Sequence, residues 1–187
     1  MLNKIGAIRN GWLDGVEHQH SPHFTPREQG TQISLLVVHN ISLPPATFGN
    51  NYVTDFFLGK LDATADPYFE EIAELTVSAH CFIRRDGQII QYVSFNDKAW
   101  HAGTSSYQGR ERCNDFSIGI ELEGTDTLAY TELQYRQLAT LTQKIQSNYP
   151  LVIDNIAGHN DIAPGRKTDP GVAFSWSTFK NHLTKSV

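Results

Sequence analysis

The chain has 187 residues, of which 40% are hydrophobic, 11% aromatic and 19% charged, and its formal net charge is -5. That length suits one domain with a real core, and the composition excludes a disordered or membrane-embedded chain. The acidic balance, without a Lys/Arg-rich stripe, excludes a grip on nucleic acid by phosphate neutralisation, and no segment approaches the roughly 18 to 20 apolar residues of a membrane span.

Cys81 and Cys113 are the two cysteines, so there is no disulfide framework. Residues 1–10 carry charges where a secretory leader needs an unbroken apolar stretch. A soluble cytoplasmic protein with two free thiols, no membrane contact and no obligate protein partner is expected.

Residues 1–31 are polar and rich in turn formers, and read as an irregular arm packed on a domain spanning 32–187. Gln32 to Val38 has the length and aliphatic content of a buried strand, and it runs into His39 and Asn40. Two short amphipathic helices are expected next, one near Val53 to Leu58 and one opening at Pro67 and reaching Leu75. Val77 to Ser94 holds two β-rich arms joined through Asp86-Gly87, a hairpin signal.

Ser117 to Glu123 alternates strictly, which puts Ile118, Ile120 and Leu122 on a core face and Gly119, Glu121 and Glu123 on a polar one. Thr131 and Gln134 form a capping box ahead of Leu138, Leu141 and Ile145 at helical spacing, with a stop before Pro150. Ile153 to Gly158 is a short apolar approach to His159, and a last helix starts near Ser175 and includes Trp176, Phe179 and Leu183. Hairpins mixed with helices predict an α/β (mixed) single domain, a central mixed β-sheet flanked by helices.

Of the eight histidines, His39 and His159 stand out, because each follows a buried run and two neighbouring strand ends place both imidazoles in one cleft. Asp169, on a loop turned by Pro164, Gly165, Pro170 and Gly171, supplies a carboxylate. Two imidazoles and one carboxylate suit zinc, and three ligands leave a fourth position open, as catalysis needs. From spacing alone a histidine at a strand end is more often satisfied structure than a ligand. Asn40 offers hydrogen bonds to a substrate, Trp100 a face for a sugar ring, and Arg112 a two-point clamp for a carboxylate. His80 and His101 read as structural or as supports for a ligand from behind. His18, His20 and His23 read as solvated surface, Cys113 as a packed thiol, and alternation leaves Glu121 and Glu123 on one face with no means to choose between them.

Five segments, in order, resemble the type-2 N-acetylmuramoyl-L-alanine amidase family over about residues 32 to 180. They are Val37-Val38-His39-Asn40, Ala99-Trp100-His101-Ala102-Gly103, Ser117-Ile118-Gly119-Ile120-Glu121-Leu122-Glu123-Gly124, Gly158-His159-Asn160-Asp161-Ile162-Ala163-Pro164 and Arg166-Lys167-Thr168-Asp169-Pro170-Gly171. The resemblance implies one Zn2+ per chain held by His39, His159 and Asp169, with Glu121 as general base and Lys167 facing the oxyanion. It implies that Arg112 and the backbone near Ala163 hold the diaminopimelate end of a stem peptide. The implied reaction is hydrolysis of the amide between the lactyl group of an anhydromuropeptide and L-alanine, in peptidoglycan recycling. A non-catalytic peptidoglycan-fragment binding module is the alternative; such modules lack a ligand or a catalytic partner.

Overall fold

The computed structural model describes residues 5–185; residues 1–4 and 186–187, the outer ends of the expected arm and domain, lie outside the described residues. The arm, expected to be irregular, carries four short strands: β1 (Ile8–Arg9), β2 (Trp12–Leu13), β3 (Glu17–His18) and β4 (Phe24–Pro26). Next come β5 (Leu35–Ile41), α1 (Tyr52–Phe57), α2 (Phe69–Ile72), β6 (Cys81–Ile83), β7 (Ile89–Gln91) and β8 (Asp97–Ala99). The chain continues through β9 (Ser106–Tyr107), β10 (Arg110–Glu111), β11 (Ser117–Glu123) and α3 (Glu132–Asn148). It ends with β12 (Ile156–Gly158), α4 (His159–Ile162) and α5 (Trp176–Lys185).

Six strands form one sheet in the order β12-β5-β11-β6-β7-β3. The first four run parallel, and β7 turns back antiparallel to β6 through the expected hairpin. Gly87 makes that turn at φ 85, and Arg84 and Gln88 close it with a backbone hydrogen bond of 2.9 Å. The fold class read from the sequence, a mixed sheet flanked by helices in one domain, is the one observed.

The arm strands escaped sequence reading because two or three residues carry no periodicity; β1 and β2 pair with each other across Asn10-Gly11, and edges offered by the body make β3 and β4. β3 adds parallel to β7, and β4 pairs antiparallel with β8. Arg27, just after β4, locks the arm down: its guanidinium donates to the carbonyls of Asn114, Asp115, Phe95 and Ser117.

Side-chain alternation sorts the sheet into two faces. Leu36, Val38, Ile118, Ile120 and Leu122 pack against Leu138, Leu141 and Ile145 of α3 and Phe179 of α5 in the main core. Each such fully buried side chain contributes on the order of 1.5–3 kcal/mol. The capping box of α3 is present, with Gln134 N donating to Thr131 Oγ1 at 3.1 Å and Thr131 N donating to Gln134 Oε1 at 3.0 Å. The opposite face of β11 is polar, as its alternation predicts, yet every residue of the strand is buried. Ala102, Cys113 and Phe116 cover it beside β5, while α1 and α2 cover the hairpin end through Phe56, Phe57 and Phe69. Among the described residues no helix is long and apolar enough to cross a membrane.

Candidate metal centre and cleft

Parallel strands end together, so β5, β11 and β12 open their C-terminal ends along one edge of the sheet, where sites of open α/β sheets are built. His39 lies within β5 rather than just after it, and is the direct register partner of Glu121 on β11. Gly158, the last residue of β12, is paired with Val38, so His159 follows at the level of His39 and starts α4. Asp169 reaches the same point from the loop after α4. That loop is held by Asn160 N donating to Asp169 O at 2.9 Å and by Tyr130 Oη donating to Pro170 O at 2.8 Å. Gly171 is required there: it adopts φ 77, and a Cβ would collide with the backbone of Asp126.

His39 Nδ1 lies 3.0 Å from His159 Nδ1 and 3.1 Å from Asp169 Oδ2, and His159 Nδ1 lies 3.0 Å from the same oxygen. All three donor atoms fall within 4.8 Å of one another, the arrangement of a metal site. Ala102 O can only accept, so His159 Nε2 donates to it at 3.1 Å and the His159 Nδ1 keeps its lone pair; His39 Nε2 lies 2.9 Å from His101 Nδ1, which can accept from it. With both outer nitrogens donating, two lone pairs and a carboxylate oxygen converge, a donor set that suits a cation.

Electrostatics keep these groups in the required forms. Burial, opposed by contact with Asp169, lowers the His39 pKa to about 4, so the ring is neutral near pH 7. Burial pushes the Asp169 carboxyl upward, but the His159 and His39 rings against it outweigh that and hold the group below the ordinary carboxylate range.

Glu121 is buried, and its Oε2 has no hydrogen-bond partner. Burial first, then the Asp169 charge, hold its carboxyl well above the ordinary value, while Lys167 pulls it partly back. Glu123 shares the strand face but is occupied: Gly49 N donates to Oε1 at 2.6 Å and Arg85 N to Oε2 at 2.9 Å. The two carboxylates also open to different hollows. Glu121 lines a cleft of about 610 Å³ with His159, Asp169, Lys167, Asn40, Trp100 and His101. Glu123 lines another of about 670 Å³ with Arg84, Arg85 and Asp55, where no three-donor set stands.

Other sequence-derived candidates are placed variously. Asn40 donates to Asp126 Oδ1 at 2.8 Å, and Trp100 stacks on His23 with ring centroids 6.1 Å apart. His18 and His20 flank Trp12, so the three arm histidines form no common site. Arg112 and Ala163 do not line the cleft but an adjoining hollow of about 550 Å³; Arg166 lines both. Arg112 is exposed and pairs with Asp115 at 3.1 Å. Sequence reasoning passed over Arg166, which donates to the carbonyls of Ala102 and Thr104. It passed over Gly119 as well, where a Cβ would strike the ring of His101. A glycine alternating with large β-branched residues was the available signal.

A cation site at the carboxyl edge of a parallel sheet, with a buried unpartnered carboxyl beside it, is the apparatus of a metallohydrolase. The family pattern described as N-acetylmuramoyl-L-alanine amidase matches residues 29–172. The 1,6-anhydro-N-acetylmuramyl-L-alanine amidase AmpD of Enterobacter cloacae is 58% identical over 179 residues, 96% of each chain. A crystal structure of a selenomethionine AmpD derivative superposes with a TM-score of 0.93 at 57% identity, covering 95% of this chain and 99% of that one. A complex of the Escherichia coli N-acetylmuramyl-L-alanine amidase AmiD with anhydro-N-acetylmuramic acid-L-Ala-D-gamma-Glu-L-Lys aligns with a TM-score of 0.59 at 26% identity, covering 94% of this chain and 65% of that one. The chain belongs to the N-acetylmuramoyl-L-alanine amidase family. Its chemistry is therefore amide hydrolysis.

Proposed function

We propose that the chain hydrolyses the amide between the lactyl group of 1,6-anhydro-N-acetylmuramic acid and the L-alanine of a stem peptide, with one zinc ion at His39, His159 and Asp169. The observation that carries this reading is the unpartnered Oε2 of Glu121, buried opposite His39 and beside three converging donor atoms. Zinc, when bound, supplies Lewis-acid polarisation. Glu121 takes a proton from the attacking water as its oxygen bonds to the amide carbon. The same carboxyl returns that proton to the alanine nitrogen as the carbon–nitrogen bond breaks, so the products are a free carboxylic acid and a free amine. Lys167, on the cleft wall, faces the negative charge that develops on the carbonyl oxygen. Asn40 and Trp100 orient the sugar and lactyl portion, and Arg112 with the Ala163 backbone takes the carboxylate end of the peptide in the adjoining hollow.

The substrate assignment is supported by the relatives' names and by the muropeptide bound to AmiD. The two unpaired thiols, Cys81 and Cys113, favour the cytoplasm as the compartment, where fragments returned from the wall are processed. Incubating zinc-loaded protein with an anhydromuramyl tripeptide, beside a chelated sample, and identifying products by mass spectrometry tests the proposal. Free tripeptide and anhydro sugar should form in the zinc sample alone. Binding without cleavage would replace the enzyme with the fragment-binding module.

A further inference from the structure

The segment Trp100-His101-Ala102 stands behind the donor set and meets both histidine ligands at once. His101 Nδ1 lies 2.9 Å from His39 Nε2, and the carbonyl of Ala102 accepts from His159 Nε2 at 3.1 Å. Asn114 Oδ1 holds the segment in place, accepting from His101 N at 3.1 Å and from Ala102 N at 2.8 Å. The His101 ring is fixed at its far side too, where Nε2 hydrogen-bonds Ser117 Oγ at 3.1 Å. Gly119 makes room for it, because any side chain there would occupy the ring's position.

With His39 Nδ1 given to an ion, its proton sits on Nε2, so His101 Nδ1 would accept it and His101 Nε2 would donate to Ser117 Oγ. A ring clamped at both nitrogens and along its face cannot rotate to present Nε2–H to His39. For His39 to exchange its Nδ1 and Nε2 roles, His101 and the Ser117 hydroxyl must move their protons with it. The acceptor is also neutral. A carboxylate in that place would add a further negative charge beside Asp169 and Glu121, whereas a neutral imidazole leaves the three donors with a total charge of one minus.

We infer that His101 is a positioning residue for the metal centre: through the Ser117–His101–His39 hydrogen-bond chain it holds His39 in the tautomer that offers Nδ1 to the ion. This rests on the zinc reading of the preceding section. Partners of this kind, when removed, weaken metal binding by roughly 10–100-fold. The effect is on the metal and on turnover, with little change in KM.

Zinc affinity of the full chain, measured by competition with a chromophoric chelator, tests the inference in wild type, His101→Leu and His101→Asn. Two-bond 15N–1H correlation of the histidine rings in the metal-free proteins reads the tautomer directly. The wild type should show His39 protonated at Nε2. His101→Leu keeps the volume but offers no acceptor, and should mix the tautomers and bind zinc roughly 10–100-fold more weakly. His101→Asn places an amide oxygen near the lost Nδ1 and should recover most of the affinity. A folded His101→Leu chain that binds zinc like wild type overturns the inference, as does an Asn variant no better than Leu. Should His101→Leu fail to fold, Ser117→Ala cuts the far end of the chain and is expected to weaken zinc several-fold; unchanged affinity there overturns the inference equally. A wild-type chain that takes no zinc would instead remove the metal reading itself.

Discussion

Glu121 and His39 face each other as register partners on adjacent parallel strands, both on the face of the sheet turned away from α3. Backbones of paired strands lie about 4.8 Å apart, so the sheet itself sets the distance from the acid to the metal ligand. Loop motion cannot alter it.

That rigidity predicts how Glu121 variants behave. Glu121→Gln should lower kcat by roughly 10²–10⁴-fold, and Glu121→Asp should lose nearly as much because the strand cannot advance to recover one methylene. Glu123→Gln should act mainly on stability through the Gly49 and Arg85 amides it holds. Steady-state kinetics beside thermal unfolding separates these; a fully active Glu121→Gln chain would move the base to Glu123 or elsewhere.

Lys167 lines the cleft without serving in the donor set. Lys167→Met should therefore reduce kcat by roughly 10²–10³-fold while zinc content per chain stays unchanged. Metal analysis together with turnover checks both halves, and loss of zinc in this variant would contradict the assignment.

Burial depresses three histidines of the metal-free protein: His39 to about 4, His80 to about 3, and His101 well below its ordinary value of 6.5. Their folded pKa values lie below the unfolded one, so the unfolded chain binds more protons as pH falls. Stability is thus full above about 6.5 and drains away between there and about 4. Denaturant midpoints measured on metal-free protein across that window should fall steadily, and a flat profile would contradict the burial of the neutral rings.

Glu121 has the opposite sign. Its folded pKa is raised well above 4.5, so the folded chain holds the proton longer and its burial costs stability once pH exceeds that value. Glu121→Gln should raise the melting temperature of metal-free protein at pH 7, by roughly 2–4 °C for each kcal/mol relieved. The gap should close as pH is lowered to about 4.5. A variant no more stable than wild type at pH 7 would show the carboxylate to be solvated.

Arg27→Met removes a guanidinium that bonds four backbone carbonyls and strands them in the interior. A loss on the order of 3–5 kcal/mol is expected, and Arg27→Lys should not restore it, since an ammonium lacks the fork of donors. Chemical denaturation measures the difference.

The sequence by itself determined the elements whose cause is local. Alternation in Ser117 to Glu123, Asp86-Gly87 in the hairpin, and the Thr131–Gln134 box of α3 each act within a few residues, and each element stands where its pattern put it. The donor set was legible as two histidines after apolar runs and a carboxylate on a turning loop, and the motif resemblance carried the family. Tertiary structure decided what depends on neighbours distant in the chain. The short strands β3 and β4 exist because β7 and β8 present free edges, which no pattern within Glu17 to Pro26 announces. Glu121 and Glu123 are equivalent by alternation; the fold separates them, closing one carboxylate on backbone amides from Gly49 and Arg85 and leaving the other facing the cleft. His101 likewise meets His39 across 62 positions of chain, and only sheet packing around Gly119 brings the two rings to hydrogen-bond distance. Hydrogen bonds and burial act over a few ångströms of space, and sequence spacing measures that distance only where the chain stays local.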